Sequence, residues 1–255
     1  MKIKNTIIKI FASLFFQSFF EKMHYISLKG MNYGSANSPN QSGEVGLINL
    51  LKNELEQNPV VFDVGANNGQ YLEILLDKFK HLNPIIHSFE PDKKAFERLK
   101  SKFADQKNVF LNQFALGEVE KKSLLYYSKS GGVDSSLIND NSTDLISTEI
   151  QVKTLDSYCE EHQISKIDFL KIDVEGFERN VLLGSSKKIS ENSISRIQIE
   201  HGSIQSIIAG SSLYLFTKML PNFDLFHIKQ NGIRKLKYEP KNEIYYNSNY
   251  YFKLK

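Results

Sequence analysis

"VVFDVGANNGQY", residues 60–71, decides how the rest of the chain is read. An apolar run ends in Asp63, breaks into a turn between Gly65 and Gly69, and resumes with helical character. Asn58-Pro59 stops the segment before it, so the apolar run reads as a buried strand feeding a glycine turn and then a helix near 69–80.

The same strand–helix unit recurs downstream. "PIIHSFE" is a second strand, and "DKKAFERLKSKF" is its helix. "NVFLNQFAL" is a third strand, "IDFLKIDV" a fourth followed by the helix "GFERNVLLGSSKKI", and "ISRIQIEH" a fifth. Repeated units of this kind predict a parallel sheet covered by helices on both faces. Between the third and fourth strands, "KSLLYYS" and "TEIQVKTL" alternate with period two, which predicts an antiparallel excursion. The polar "SGGVDSSLINDNST" at its tip has the character of a lid, with Ser135 and Ser136 placed to meet a ligand. A helix is expected near 207–220. "DLFHIKQNGIRKLKY" then reads as a hairpin about Asn231-Gly232, and "NSNYYFKLK" as a last strand, making the sheet mixed.

The composition sets outer bounds. The 255 residues are 41% hydrophobic and 12% aromatic, enough for a sizeable core. One cysteine, Cys159, excludes an internal disulfide and a cysteine-built zinc site. Residues 1–24 carry a net +3, residues 227–255 a net +5, and the middle a net −5. An acidic middle argues against a nucleic-acid partner. At the N-terminus, Asn5, Lys9, Ser13, Gln17 and Glu21 make one polar ridge opposite a wide apolar face. The run is too short and interrupted to span a bilayer and lacks a signal-peptide cleavage site. It is expected to dock on its own domain, pair two subunits, or lie in a membrane interface through residues 1–22 of a cytoplasmic protein. Residues 1–43 are thus an N-terminal helix and loop, and residues 44–255 the main domain.

Ligands of such sheets sit outside the carboxyl ends of the strands. Those ends carry Asp63, Glu90, Phe114-Ala115, Asp173 to Gly176, and Glu200-His201. The turn lacks two of the three glycines of a dinucleotide fingerprint, because Asn67 and Gln70 stand in their places. Asp63 beneath the turn would repel a pyrophosphate and suits a cation. Glu90 can take both hydroxyls of a ribose. A ligand with a ribose, a positive charge and no phosphate is S-adenosylmethionine.

"VFDVGANNGQY", "IHSFEPDKKAFERL", "NQFALGE", "VKTLDSY", "DFLKIDVEGFERNVLLG" and "IQIEH", in this order, resemble the FkbM-type family of S-adenosylmethionine-dependent methyltransferases over roughly Ser42 to Phe252. The resemblance implies a class I methyltransferase fold, a Rossmann-like seven-stranded sheet with one antiparallel strand. It also implies O-methylation of sugars or secondary metabolites. Asp63, Gly65, Asn67, Asn68 and Gly69 would form the first cofactor motif, Glu90 and Pro91 the ribose site, and Phe114 and Ala115 the adenine wall. Asp173 would stand beside the transferred methyl.

A sugar hydroxyl needs a base, and Asp173, His201 and Glu175 are the candidates in that order. Asp173, Glu175 and Glu200 could also gather round Mg²⁺, but nothing in their spacing demands a metal, and none is expected. A glycan acceptor is the first expectation and a lipid or small metabolite the second. A nicotinamide oxidoreductase and a non-catalytic scaffold are the readings from other classes.

Overall fold

The computed structural model describes residues 11–34, 38–128, 135–139 and 145–255. The strands are β1 (Val60–Val64), β2 (Ile85–Phe89), β3 (Val109–Asn112), β4 (Ala115–Leu116), β5 (Lys121–Ser128), β6 (Ser135–Ser136), β7 (Leu145–Lys153), β8 (Phe169–Ile172), β9 (Arg196–His201), β10 (Phe223–Lys229), β11 (Gly232–Lys235) and β12 (Ser248–Leu254). The main sheet has eight strands in the order β11-β10-β12-β9-β8-β1-β2-β3. Strands β3, β2, β1, β8 and β9 run parallel, and β12 enters antiparallel between β9 and β10. This is the expected seven-stranded mixed sheet with one strand added. The addition is β11, the second arm of the Asn231-Gly232 hairpin, which pairs with β10 at the edge.

The excursion forms a second, small sheet in which β5 and β7 pair antiparallel over eight residues, with β4 and β6 on its flanks. The expected third strand is therefore two pieces. Val109–Asn112 belongs to the main sheet, and Ala115–Leu116 turns away to pair with β7. The expected helix at 207–220 is also two helices, Ile204–Ile208 and Leu213–Met219, parted at Gly210 with φ +64°. The tip residues 130–134 and 140–143 fall outside the described part.

Helix α1 (Leu14–Gly30) is followed by α2 (Glu44–Leu51), α3 (Gln70–Phe79) and α4 (Lys93–Phe103). In α3 the apolar Tyr71, Leu72, Leu75 and Phe79 share one buried face, the 3.6-residue spacing of an amphipathic helix. α4 begins where Asp92 accepts the Ala95 N–H at 2.8 Å, a side-chain N-cap. One core cluster lies over Phe62, Leu170, Ile197 and Phe252, and the other packs α2, α3 and α4 against Val61, Ile86 and Phe169. α1 stands apart: Leu28 is its one buried residue, whereas Leu14 and Phe15 are 92% and 86% exposed. Among the described residues no helix is long and apolar enough to cross a membrane. The polar-ridge residues Asn5 and Lys9 lie outside the described part.

Candidate functional site

Two cavities open side by side at the carboxyl ends of β1, β2, β8 and β9. The first, about 660 Å³, has Val64, Phe89, Pro91, Ala115, Leu116, Leu125 and Leu137 as apolar walls, with Glu90 and Ser135 among its polar groups. The second, about 1260 Å³, is polar, and its lining includes Ser38, Glu44, Asn68, Tyr71, Lys171, Glu200 and Asn247. Gly65, Asn67, Asp173 and Glu175 belong to both. A group held in one cavity can therefore reach across this shared wall to a group held in the other.

The turn after β1 has its shape for two different reasons. Gly65 has φ +83°, and a Cβ there would come within 1.8 Å of the Asp173 carbonyl oxygen. Only glycine lets the ends of β1 and β8 approach this closely. Gly69 has φ +81° and caps α3, but a Cβ there would strike Phe103 and Leu99. Gly69 therefore serves helix packing and lines neither cavity.

Glu90 is 5% exposed. Its carboxylate accepts the Asn67 and Asp92 backbone N–H groups, each at 2.8 Å. Burial pushes its pKa up to about 7, against those hydrogen bonds. No lysine or arginine lines this cavity among the described residues, so a phosphate would find no counter-charge. A buried carboxylate with lone pairs to spare and no cation partner suits a vicinal diol, which brings two O–H donors. The donor set therefore fits the ribose of S-adenosylmethionine, and the apolar walls fit its adenine.

Asp63 departs from expectation. It is fully buried and lines neither cavity. The cation it meets is internal, the Lys171 ammonium at 3.4 Å. Lys171 also lies 3.1 Å from Asp173 and donates to the Gly65 carbonyl at 3.2 Å. Burial alone would lower the Lys171 pKa, but Asp173, Asp63 and Glu44 outweigh it and hold the ammonium charged. One lysine thus ties the glycine turn to the end of β8. It was missed in the sequence because "FLKIDV" reads as a buried strand, where a lysine draws notice only once its partners are known.

Around it lies a buried polar web. Tyr71 donates to Gln198 at 2.7 Å, Gln198 donates to Glu44 at 2.8 Å and to Asn249 at 2.9 Å, and Ser42 donates to Glu44 at 2.7 Å. Burial raises the pKa of Glu44. Burial and the nearby Asp173 and Glu175 carboxylates hold Glu200 well above the ordinary carboxylate range.

The remaining candidates separate. Ala115, Pro91 and Asn67 line the first cavity, and Asn68 lines the second. Asp173 and Glu175 stand in the shared wall, where the Ser136 hydroxyl donates to the Glu175 carbonyl at 2.6 Å. Phe114 lines neither cavity, because its ring packs 5.6 Å from Phe89 and 5.9 Å from Tyr158. His201 also lies away from the site: its side chain is fully buried, 3.3 Å from Glu243, which in turn accepts the Leu213 and Tyr214 N–H groups. Neighbouring residues of a strand point to opposite faces, so Glu200 can reach the cavity only if His201 does not. Asp173, Glu175 and Glu200 each offer an oxygen within 4.8 Å of the others, the grouping that the sequence allowed without demanding.

A family model for the methyltransferase FkbM domain matches residues 63–235. The hexuronic acid methyltransferase AglP of Haloferax volcanii is 31% identical over 166 residues, 63% of this chain and 64% of that protein. The 2-O-methyltransferase NoeI of Sinorhizobium fredii is 23% identical over 197 residues, 70% of this chain and 76% of that protein. The crystal structure of a methyltransferase FkbM from Methylobacillus flagellatus KT superposes with a TM-score of 0.50 at 16% identity, covering 78% of this chain and 44% of that one. It shares the fold. The chain spans less than two thirds of the length of the Haloferax protein and of the Methylobacillus one.

Proposed function

The chain belongs to the FkbM methyltransferase family, and from that premise we propose that it methylates a hydroxyl of a sugar in a surface glycan or glycolipid, with S-adenosylmethionine as donor. The observation that carries this reading is the pair of cavities joined at Gly65, Asn67, Asp173 and Glu175. The names of the relatives support it, one specifying a hexuronic acid acceptor and the other an oxygen as the atom methylated.

When bound, S-adenosylmethionine supplies a methyl group on a sulfonium, whose sulfur leaves as a neutral thioether. Glu90 would take the ribose hydroxyls, and Pro91, Ala115 and Leu116 would hold the adenine. Asn67 and Gly65 border the passage between the cavities. Much of the catalysis is alignment, because holding the acceptor oxygen against the methyl replaces a chance encounter. The acceptor hydroxyl must lose its proton as the C–O bond forms, and Asp173 takes it. Asp173 holds that role over Glu175 because Lys171 fixes its carboxylate at 3.1 Å, whereas Glu175 sits in a turn at φ +50°. Asp63 acts behind the site by balancing the charge of Lys171.

Transfer of labelled methyl from S-adenosylmethionine to a panel of free and lipid-linked sugars tests this. The expected result is alkali-stable label on a sugar oxygen, lost in Asp173→Asn while cofactor affinity persists. Tight cofactor binding with no label on any sugar would overturn the sugar reading. Better turnover on lipid-linked acceptors would give the exposed helix α1 a part in presenting the substrate.

A further inference from the structure

Helix α1 is fastened to the body at one end and bare along the rest. Leu28, in its last turn, is its one buried residue. Just beyond, the Asn32 side-chain amide donates to the Ser42 and Ile228 carbonyls at 2.7 and 3.1 Å. The Tyr33 ring packs 4.7 Å from His227, and the Gly34 N–H donates to the Asn247 carbonyl at 2.7 Å. Asn247 and Ser38 line the larger cavity, so α1 leaves the body at that cavity's rim. The expected docking of this helix on its own domain is confined, among the described residues, to that last turn.

The bare stretch has two unlike sides. At about 100° per residue, Phe15, Phe16, Phe19, Phe20, Met23 and Ile26 fall within about 140° around the helix. All but the half-buried Phe16 are exposed. The opposite side carries Gln17, Ser18, Glu21, Lys22 and His24. Residues 1–30 hold five lysines against one glutamate, a net +4. The helix is not long and apolar enough to cross a bilayer, but its two sides suit lying along one.

A second copy of the chain and a lipid surface are the two occupants that could cover this face. A helix-pairing seam is a narrow strip of roughly two positions in seven, and this face is wider. Pairing would also bring two segments of net +4 together. Anionic headgroups would instead meet the lysines while the phenylalanines enter the acyl boundary. We propose that α1 is an interfacial anchor, which seats its 15–26 face in the surface of an anionic bilayer and holds the rim of the larger cavity beside it. This stands apart from the methyl-transfer reading, since lipid binding is measured without turnover. Together with that reading, it brings a lipid-linked acceptor to the cavity rim.

The full chain is mixed with vesicles of phosphatidylcholine alone, or of phosphatidylcholine with phosphatidylserine, and bound protein is measured by flotation. Affinity for the anionic vesicles is expected to exceed that for the neutral ones at least about tenfold and to fall as salt is raised. Phe15→Ser/Phe19→Ser should weaken binding at least about tenfold. Lys9→Gln/Lys22→Gln should weaken it severalfold on anionic vesicles and little on neutral ones. Phe15 and Phe19 are exposed, so melting temperatures equal to wild type report that the variant is folded. A full chain that floats with neither vesicle overturns the proposal, and so does a phenylalanine variant that floats like wild type. Equal binding to both vesicles overturns the anionic assignment. A wild-type dimer in sedimentation velocity that Phe15→Ser/Phe19→Ser splits, with no vesicle binding, gives the face to a second copy instead.

Discussion

The two cavities share a wall and solve opposite problems. The smaller sets apolar walls beside Glu90, whose carboxylate is held by two backbone N–H groups with no lysine or arginine in the lining among the described residues, and it shares Asp173 and Glu175 with its neighbour. The larger is polar throughout, with four carboxylates, one committed lysine and a hydrogen-bonded web behind them. A neutral diol and a flat base need shape and one acceptor group. A hydroxyl that must be deprotonated needs fixed charges nearby. In the proposed reading, the donor's ribose is met by the one carboxylate that follows β2, whereas the acceptor side draws on β1, β8, β9, β12 and the segment leading into α2.

Lys171→Met should break this contrast most severely. It leaves Asp63 fully buried without its counter-charge and frees the glycine turn from β8. Removing one partner of a buried pair commonly costs about 3–5 kcal/mol. Chemical denaturation should show a loss of that order. The double variant Asp63→Asn/Lys171→Met should recover part of the stability but not the turnover. Equal stability of wild type and the single variant would mean that the lysine does not hold the two strand ends together.

Glu90→Ala should sharpen the contrast, because its effect stays in one cavity. Loss of two hydrogen bonds to a charged group corresponds to roughly 100-fold weaker binding of S-adenosylmethionine. Calorimetry measures it. A variant that binds the cofactor like wild type would remove the ribose assignment.

The mildest prediction concerns pH. Glu90 has a pKa of about 7 in the fold against an ordinary 4.5. The folded chain therefore binds this proton more tightly than the unfolded chain. The resulting advantage is complete below about pH 4.5 and is lost as pH rises through about 7. Glu178 adds in the same direction, since burial also pushes it to about 7. Glu90→Gln should accordingly make the cofactor-free chain about 2 kcal/mol more stable than wild type at pH 8 and no more stable at pH 4. Melting curves across that range check it, and a constant difference at all pH values would contradict it.

Some of the site was legible because the chemistry sits at strand ends, which the alternation of apolar and helical segments marks directly. Gly65, Asn67, Glu90, Ala115, Asp173 and Glu175 were read this way, Pro91 came from the family resemblance, and all line a cavity. Asp63 was found, but its partner was misjudged, because the cation facing a buried carboxylate can come from any strand beside it. His201 and Phe114 were nominated by their position in the chain alone, and the alternation of side chains and the turn into β4 carried them elsewhere. Lys171, Gln198 and Tyr71 were passed over because each occupies what looks like a core position. Their polar atoms find partners 106 to 154 positions distant.

The sequence by itself determined the order of strands and helices, the glycine turn, the carboxylates at the strand ends and the family. These depend on periodicity and short-range spacing, which chain connectivity preserves. The tertiary structure alone decided that β8 lies against β1 so that Lys171 meets Asp63, and that β12 enters beside β9 so that Asn249 meets Gln198. It also decided that the small second sheet folds back to close one cavity with Leu125 of β5 and Ser135 of β6. Those contacts join residues far apart in the chain. Burial then gives them their strength, because in a dry interior an unpaired charge is costly and each carboxylate and ammonium must be placed against a partner.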